Sequence, residues 1–369
     1  MMDCCKAFGI VVFGWIAIRI AWLPFEKGTF TPSNPGLEWN SNASTLFHID
    51  STKQRIVLFV GYHEALQCND PSSLSTLSIL SDAPFGWSYP IPSKEELSTA
   101  IQFRTFSTQY CTFFDPLFSA LRYDPLHYET AAMNVSAATD IIELYRRKVH
   151  EDWSQGKSII FASRDAAHLV NTKVAHAWNR LLPLGVESDV EVVVPYSTPR
   201  IHQLMEIWDV QRASDPTMTL KSFLITSQFE ENLVHMNPLG VASVFVRRGL
   251  KTIIVDENGL AREKLDIRTA VSCFILKSTC NSSNILEEGS NSQQESISPS
   301  PLMDLSEQKL KQIERVLQDY DCGFYNSLAK PSNVYFLYRD ALFRSCSSRN
   351  RHYTVKELVK KIQGIAMEP

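Results

Sequence analysis

Residues 189–208, DVEVVVPYSTPRIHQLMEIW, contain the transition that decides the fold. The segment opens with β-branched apolar residues between positions 190 and 194, a run typical of a strand that is buried on both faces. Two prolines follow, and apolar residues then recur at helical spacing, at Ile201, Leu204, Met205 and Trp208. Open α/β sheets bind ligands where a buried strand leads into a helix, because the helix N-terminus presents unpaired N–H groups to an anion.

The rest of the chain predicts strands that alternate with helices. Further strands are predicted at residues 56–60, 159–162, 251–256, 270–276 and 334–336. Helices are predicted at residues 140–152, 237–247, 306–317 and 353–365, whereas residues 222–226 fit either a strand or a helix start. This alternation predicts a three-layer α/β sandwich with a mainly parallel sheet.

Length and composition indicate a globular protein with a large core. The chain has 369 residues, of which 44% are hydrophobic and 21% are charged. Its formal net charge of −4 argues against a nucleic-acid partner, since nucleic-acid-binding domains are normally basic.

The N-terminus predicts a membrane segment. Residues 7–24, AFGIVVFGWIAIRIAWLP, are almost wholly apolar and about as long as a bilayer-spanning helix, although Arg19 interrupts them. We expect a signal-anchor at residues 7–24 after a cytosolic tail at residues 1–6, and hence a single-pass type II protein of the secretory pathway, in the Golgi. A cleaved signal peptide, which would give a secreted protein, and a buried or interfacial helix are the alternatives.

The predicted luminal part has three further regions. A stem at residues 25–53, rich in Pro, Ser, Asn and Thr, leads into an α/β domain at residues 54–277. Residues 278–303 predict a disordered insertion, and residues 304–369 a helical and strand extension of the same domain. Sequons at Asn42, Asn134 and Asn281 predict a glycoprotein.

The cysteines agree with an oxidising compartment. Of the eight, Cys4 and Cys5 precede the apolar run, where they would be cytosolic and could carry a lipid. Among the other six, the plausible short-loop disulfides are Cys273–Cys280 and Cys322–Cys346, and free buried thiols are the alternative. Neither a CxxC pair nor a Cys/His metal spacing is present, so we expect no metal.

Two motifs carry the candidate chemistry. The loop after the first strand, Gly61-Tyr62-His63-Glu64, resembles the opening loop of the sulfotransferase family, G-x-x-K-x-G-[ST], with Glu64 at the lysine position. Residues 197–206, STPRIHQLME, resemble the family element R-x-P-x-x-R-x-x-S, which grips the 3′-phosphate of the nucleotide. The proline is kept, Ser197 stands at the position of the first arginine, and Arg200 lies close by.

The resemblance is to divergent, membrane-anchored carbohydrate sulfotransferase-like proteins of algae and protists. It implies a P-loop NTPase/sulfotransferase-like fold and the transfer of a sulfuryl group from 3′-phosphoadenosine 5′-phosphosulfate (PAPS) to the hydroxyl of a glycan acceptor. It also implies cofactor-binding residues Gly61, Tyr62, Ser197 and Arg200 and catalytic residues His63 and Glu64. A histidine or glutamate near the acceptor hydroxyl can remove its proton.

Two other functions remain open. Glu64 and Ser197 stand where the family has cations, which favours a catalytically degenerate member that acts as a binding or scaffold protein. A type II glycosyltransferase is the further alternative, with Asp319-Tyr320-Asp321, expected after the end of a helix, as a candidate Asp-x-Asp metal and nucleotide site. Asp256, at the end of a predicted strand, is a more general candidate site residue.

Overall fold

The computed structural model describes part of the unit Phe47–Pro369. The described residues are 53–60, 86–93, 95–97, 115–122, 135–186, 189–197, 199–212, 215–227, 229–230, 233, 237–262, 270–271, 275–276, 304–337, 346 and 353–368. The predicted anchor, most of the stem, the insertion and all three sequon asparagines lie outside these residues. Within them, no helix is both long and apolar enough to cross a bilayer.

A parallel sheet of six strands forms the centre of this unit, which confirms the predicted α/β class. The strands are β1 (Ile56–Val60), β2 (Trp87–Ser88), β3 (Ser158–Ser163), β4 (Val190–Tyr196), β5 (Lys251–Asp256) and β6 (Val334–Leu337). Their order across the sheet is β2-β3-β1-β4-β5-β6, and every described pairing is parallel. The apolar runs that predicted β1, β3, β4, β5 and β6 therefore form strands.

Helices connect these strands. They are α1 (Asp115–Arg122), α2 (Val135–Ser154), α3 (Thr172–Asn179), α4 (Arg200–Arg212), α5 (Leu220–Leu224), α6 (Pro238–Arg247), α7 (Glu257–Arg262), α8 (Glu307–Leu328) and α9 (Val355–Met367). A 3₁₀ helix, Arg164–Val170, precedes α3. Two of these helices begin at residues that cap them: Asn237 caps α6, and Thr354 forms a capping box at α9.

Side chains that alternate along the strands divide the core into two layers. Leu58 of β1 packs in a cluster with Tyr145 of α2 and Phe245 of α6. Phe59, the next residue, faces the opposite side, where Leu260 of α7 packs. Helices therefore cover both faces of the sheet, as expected for buried parallel strands.

A third apolar cluster joins the helices that follow β4 to the C-terminal helices. It contains Leu204 and Trp208 of α4, Phe223 of α5, Ile313 of α8 and Ile362 of α9. Because this cluster seats α8 against α4, polar residues of α8 reach the start of α4. The predicted Cys322–Cys346 disulfide is formed and links α8 to residue 346, whereas Cys273 and Cys280 lie outside the described residues.

Several local features differ from the predictions or add to them. Residues 270–271 and 275 are helical rather than a strand, residue 276 is a bend, and all four pack on the sheet face that Phe59 occupies. Residues 222–226, left open between strand and helix, lie partly in α5, which Thr219 caps. Trp87 and Ser88 form an edge strand that was not among the predicted strands. Helix α8 runs eleven residues past its predicted end at 317, so Asp319 and Asp321 lie within it and not after it.

Two buried charge clusters lie at opposite ends of the strands. The amino-edge cluster, Arg55, Glu191 and Lys251, lies at the start of three neighbouring strands: Arg55 precedes β1, Glu191 is the second residue of β4 and Lys251 is the first residue of β5. Glu191 of β4 lies opposite Val57 of β1 and Lys251 of β5, so its carboxylate reaches a cation on either side. The second cluster, at the carboxyl edge, contains the candidate functional site.

Candidate functional site

The strand order identifies the edge of the sheet at which a ligand is expected. From β1 the chain continues toward the β2 side of the sheet, and from β4 it continues toward the β6 side. These two strands are neighbours, with Phe59 opposite Val193. The connections therefore diverge between the carboxyl ends of β1 and β4, which is the topological switch point where open α/β sheets bind their ligands.

Arg200, the first residue of α4, is buried at this edge. Its guanidinium Nε lies 2.7 Å from Asp321 Oδ2 of α8, and the two side chains are only 3% and 2% exposed. Its Nη1 also donates a hydrogen bond to Gln203 Oε1, one turn along α4. The guanidinium carbon lies 5.9 Å from the ring centre of Tyr196, the last residue of β4. Arg200 is thus held by side chains from β4, α4 and α8.

The backbone at the start of α4 is also engaged by a carboxylate. The N–H of Ile201 donates to Glu314 Oε2 at 2.7 Å, and Glu314 in turn accepts a hydrogen bond from Gln318. Glu314 and Asp321 are seven residues apart on α8, so they lie on the same side of that helix. We call Tyr196, Arg200, Glu314 and Asp321 the carboxyl-edge cluster.

A third carboxylate lies beside this cluster. Asp256 ends β5 and lies opposite Tyr196 of β4 in the strand register. It is almost completely buried, and its Oδ1 accepts the N–H of Gly259 at 3.2 Å in the first turn of α7. Its charge acts on the Tyr196 hydroxyl, whose pKa it helps to raise.

Burial is the main cause of a shift in the pKa of Asp321. Burial raises the pKa of Asp321 to about 6, the Arg200 charge lowers it, and the Glu314 charge raises it again. Burial, followed by the Asp321 charge, also raises the pKa of Tyr196 well above its usual range. Among the described residues, one guanidinium and three carboxylates therefore lie at this edge, so the carboxylates outnumber the cation.

The predicted cofactor residues fall into two groups. Ser197 and Arg200 lie on the turn that joins β4 to α4, with Ser197 half-buried and Arg200 buried. Gly61 and Tyr62, and the proposed catalytic residues His63 and Glu64, lie outside the described residues. The structure thus brings Ser197 and Arg200 together and does not describe the loop that follows β1.

The candidate Asp-x-Asp pair has a different environment from the one expected. Asp321 contacts a guanidinium that would repel a metal ion at the same oxygen. Among the described residues, no cluster of three or more His, Cys, Asp or Glu could hold a metal. The contact with Arg200 weighs against the use of Asp321 as a metal ligand.

Three residues of the site were not predicted from the sequence: Tyr196, Gln203 and Glu314. Tyr196 could have been identified as the last residue of a buried strand, where ligand-facing groups are placed. The seven-residue spacing of Glu314 and Asp321 would place both carboxylates on the same side of one helix. This signal was missed because the helix was predicted to end at residue 317.

Comparison of the chain with protein-family models, curated proteins and solved structures finds no match in any of the three.

Proposed function

We propose that this chain is a sulfotransferase-like protein of the secretory pathway that transfers a sulfuryl group from PAPS to a carbohydrate hydroxyl. The observation that supports this proposal is the position of the β4–α4 turn, which carries Ser197 and Arg200, beside the carboxyl end of β1. A donor at this switch point would lie between the Gly61–Glu64 loop and the start of α4. We also propose the signal-anchor and Golgi location, with secretion after signal cleavage as the alternative.

In the proposed reaction, Arg200 binds a phosphate of the nucleotide and the loop after β1 lies at its 5′ side. His63 or Glu64 takes the proton of the acceptor hydroxyl as that oxygen bonds to sulfur. The bond from sulfur to the bridging phosphate oxygen breaks at the same time, and 3′-phosphoadenosine 5′-phosphate (PAP) leaves. In-line transfer of this kind needs cations that stabilise the charge on the leaving group.

A non-catalytic member of the same fold is the second candidate, and one specific observation favours it. The cation that would bind phosphate, Arg200, is already paired with Asp321, and the first α4 N–H is already paired with Glu314. A protein with this arrangement could keep the fold as a binding or scaffold protein without sulfuryl transfer. The glycosyltransferase alternative is disfavoured because the Asp321 carboxylate contacts Arg200.

The test is thermal unfolding of the full-length chain in detergent micelles with increasing PAP. A ligand at 100 times its dissociation constant stabilises the native state by about 2.7 kcal/mol, so we expect a clear rise in the unfolding temperature. The rise should disappear in Arg200→Met/Asp321→Leu, which removes both buried charges together and avoids leaving one unpaired. Arg212→Ala, in the last turn of the same helix, is the matched control and should keep the rise.

Two results would separate the candidates. A PAP-dependent rise together with transfer of labelled sulfate from PAPS to a glycan panel supports the enzyme. A rise without transfer to any acceptor supports the binding protein. The absence of a rise at millimolar PAP contradicts the enzyme and its nucleotide site, and leaves the non-catalytic binding or scaffold protein as the candidate.

A further inference from the structure

The two carboxylates of α8 contact the two groups at the start of α4 that would hold an anion. Asp321 lies 2.7 Å from the Arg200 guanidinium, and Glu314 accepts the Ile201 N–H at 2.7 Å. A guanidinium and a helix-start N–H are the donors that proteins use for phosphate and sulfate groups. The chain therefore supplies its own anion at this position.

Several features make this contact a specific one. Glu314 and Asp321 come from the same side of one helix, and the apolar cluster of Ile313, Leu204 and Trp208 fixes that helix against α4. The Cys322–Cys346 disulfide adjoins Asp321 directly. Glu314 is half-buried, whereas Arg200 and Asp321 are buried, so the site faces solvent on the Glu314 side.

We propose that Glu314 and Asp321 act as an intramolecular anion that keeps the start of α4 closed to an external phosphate or sulfate group. The site opens when the charge of this carboxylate pair is reduced and α8 releases Arg200 and the Ile201 N–H. This inference rests on the proposed function only in the measurement of PAP binding; the measurement of sulfate binding is independent of that function.

The charges around Asp321 agree with such a control by pH. The groups that act on it are Arg200 of α4, Tyr196 of β4 and Glu314 of its own helix, and burial raises its pKa to about 6. Asp256 of β5 adds negative charge next to Tyr196. The other helices packed on α8 carry charged residues, Arg247 on α6 and Lys356, Glu357, Lys360 and Lys361 on α9, but these are not among the causes of the shift. Protonation of Asp321 in mild acid therefore removes the charge that opposes an incoming anion.

The experiment measures sulfate binding by isothermal titration calorimetry at constant ionic strength, at pH 5 and pH 7.5. It uses the full-length chain in micelles and the variants Glu314→Gln and Asp321→Asn. Removal of one like charge from a buried site should tighten sulfate binding about tenfold at pH 7.5 in each variant. The unmodified chain should bind sulfate more tightly at pH 5 than at pH 7.5, and Asp321→Asn should lose most of that difference.

Glu307→Gln is the matched control, because it removes the same charge from an exposed position on the same helix. It should bind sulfate as the unmodified chain does. Glu314→Gln keeps a side-chain oxygen for the Ile201 N–H, so it remains informative if Asp321→Asn fails to fold.

The outcomes distinguish this inference from the proposed function. Sulfate binding that is no tighter in folded Glu314→Gln or Asp321→Asn than in Glu307→Gln overturns the inference, even if PAP binds. Sulfate binding that tightens in both variants, with no PAP binding to any of them, supports the inference and contradicts the proposed nucleotide function. Tighter binding of both probes supports both.

Discussion

The two edges of the sheet carry buried charge clusters of opposite balance. At the amino edge, the single carboxylate of Glu191 lies between two cations, with its oxygens 3.3 Å from Arg55 Nε and 2.7 Å from Lys251 Nζ. At the carboxyl edge, Arg200 is the one cation of the cluster among the described residues, and the carboxylates there outnumber it. Each cluster contains a buried ion pair, but only in the first is the acid placed between two cations.

This difference distinguishes a cluster that cross-links strands from a cluster whose charge can change with pH. Arg55, Glu191 and Lys251 cross-link the starts of three adjacent strands, and Arg55 also donates to the Ile275 carbonyl at 2.9 Å. The carboxyl-edge cluster instead joins β4 and α4 to α8, and its Asp321 titrates near pH 6. We expect substitutions at the amino edge to act mainly on stability, and those at the carboxyl edge to act also on pH dependence and binding.

The largest effect is expected from Glu191→Leu. It leaves the buried Arg55 and the half-buried Lys251 without a carboxylate, and breaking a buried ion pair by removing one partner typically lowers the free energy of unfolding by about 3–5 kcal/mol. Denaturant unfolding monitored by circular dichroism measures this loss. Lys251→Met keeps the Arg55–Glu191 contact and should lose clearly less, so equal losses would show that Glu191 does not hold the two cations together.

The next effect is expected from Cys322→Ala/Cys346→Ala, which releases α8 from residue 346. The cysteines are 24 residues apart, and a disulfide that closes a loop of this size contributes about 3 kcal/mol. The measurement is the midpoint of denaturant unfolding with and without reductant. The unmodified chain should lose this stability in reductant, whereas the double variant should be insensitive to it; a reductant effect of equal size in the variant would contradict the assignment.

A smaller effect concerns pH and tests the carboxyl edge alone. The pKa of Asp321 is about 6 in the folded chain, against an ordinary value of 3.8, so folding favours its protonated form. The stability that this proton contributes is fully present below about pH 4 and is lost as the pH rises through about 6, at up to about 1.4 kcal/mol per pH unit. Unfolding free energies measured from pH 4 to 7 should show this decline relative to Asp321→Asn. Parallel profiles for the two proteins would show that Asp321 is not protonated in this range.

The smallest effect is expected at an ion pair outside both clusters. Arg146 and Glu143 form a pair on α2 at 2.7 Å, but their side chains are 46% and 59% exposed. Solvent and salt screen such pairs, so Glu143→Gln should change the free energy of unfolding by less than about 0.5 kcal/mol. A loss as large as that of Glu191→Leu would mean that burial does not explain the difference between surface and edge charges.

Much of the fold was predictable because buried parallel strands have short apolar runs as their sequences. Ile56–Val60 and Lys251–Asp256 needed no tertiary information, and Asn237 marked the start of α6 by its capping role. The run at residues 270–276 was mispredicted because a short, wholly apolar segment fits a buried helix as well as a strand. Its helical residues Val271 and Ile275 pack against the sheet instead of joining it.

The site was less predictable because its key contacts join distant parts of the chain. The sequence identified Arg200 and the strand before it, but the partners of Arg200 on α8 are more than a hundred positions away. Polar residues such as Gln318 and Asp319 suggested that the helix had ended. Only the packing of Ile313 against the apolar residues of α4 shows why Asp321 is buried and why it pairs with the cation on α4.

The central position of β1 also constrains how the chain reaches its native state. During synthesis β1 emerges first, yet its two partners, β3 and β4, begin only at Ser158 and Val190. The segment IVLFV therefore stays unpaired during this time, although all five of its side chains are buried in the native structure. Such non-local pairing folds slowly and leaves apolar strands open to aggregation. Truncated chains that end before Val190 should consequently depend on chaperones, and so should the nascent chain until β4 has been synthesised.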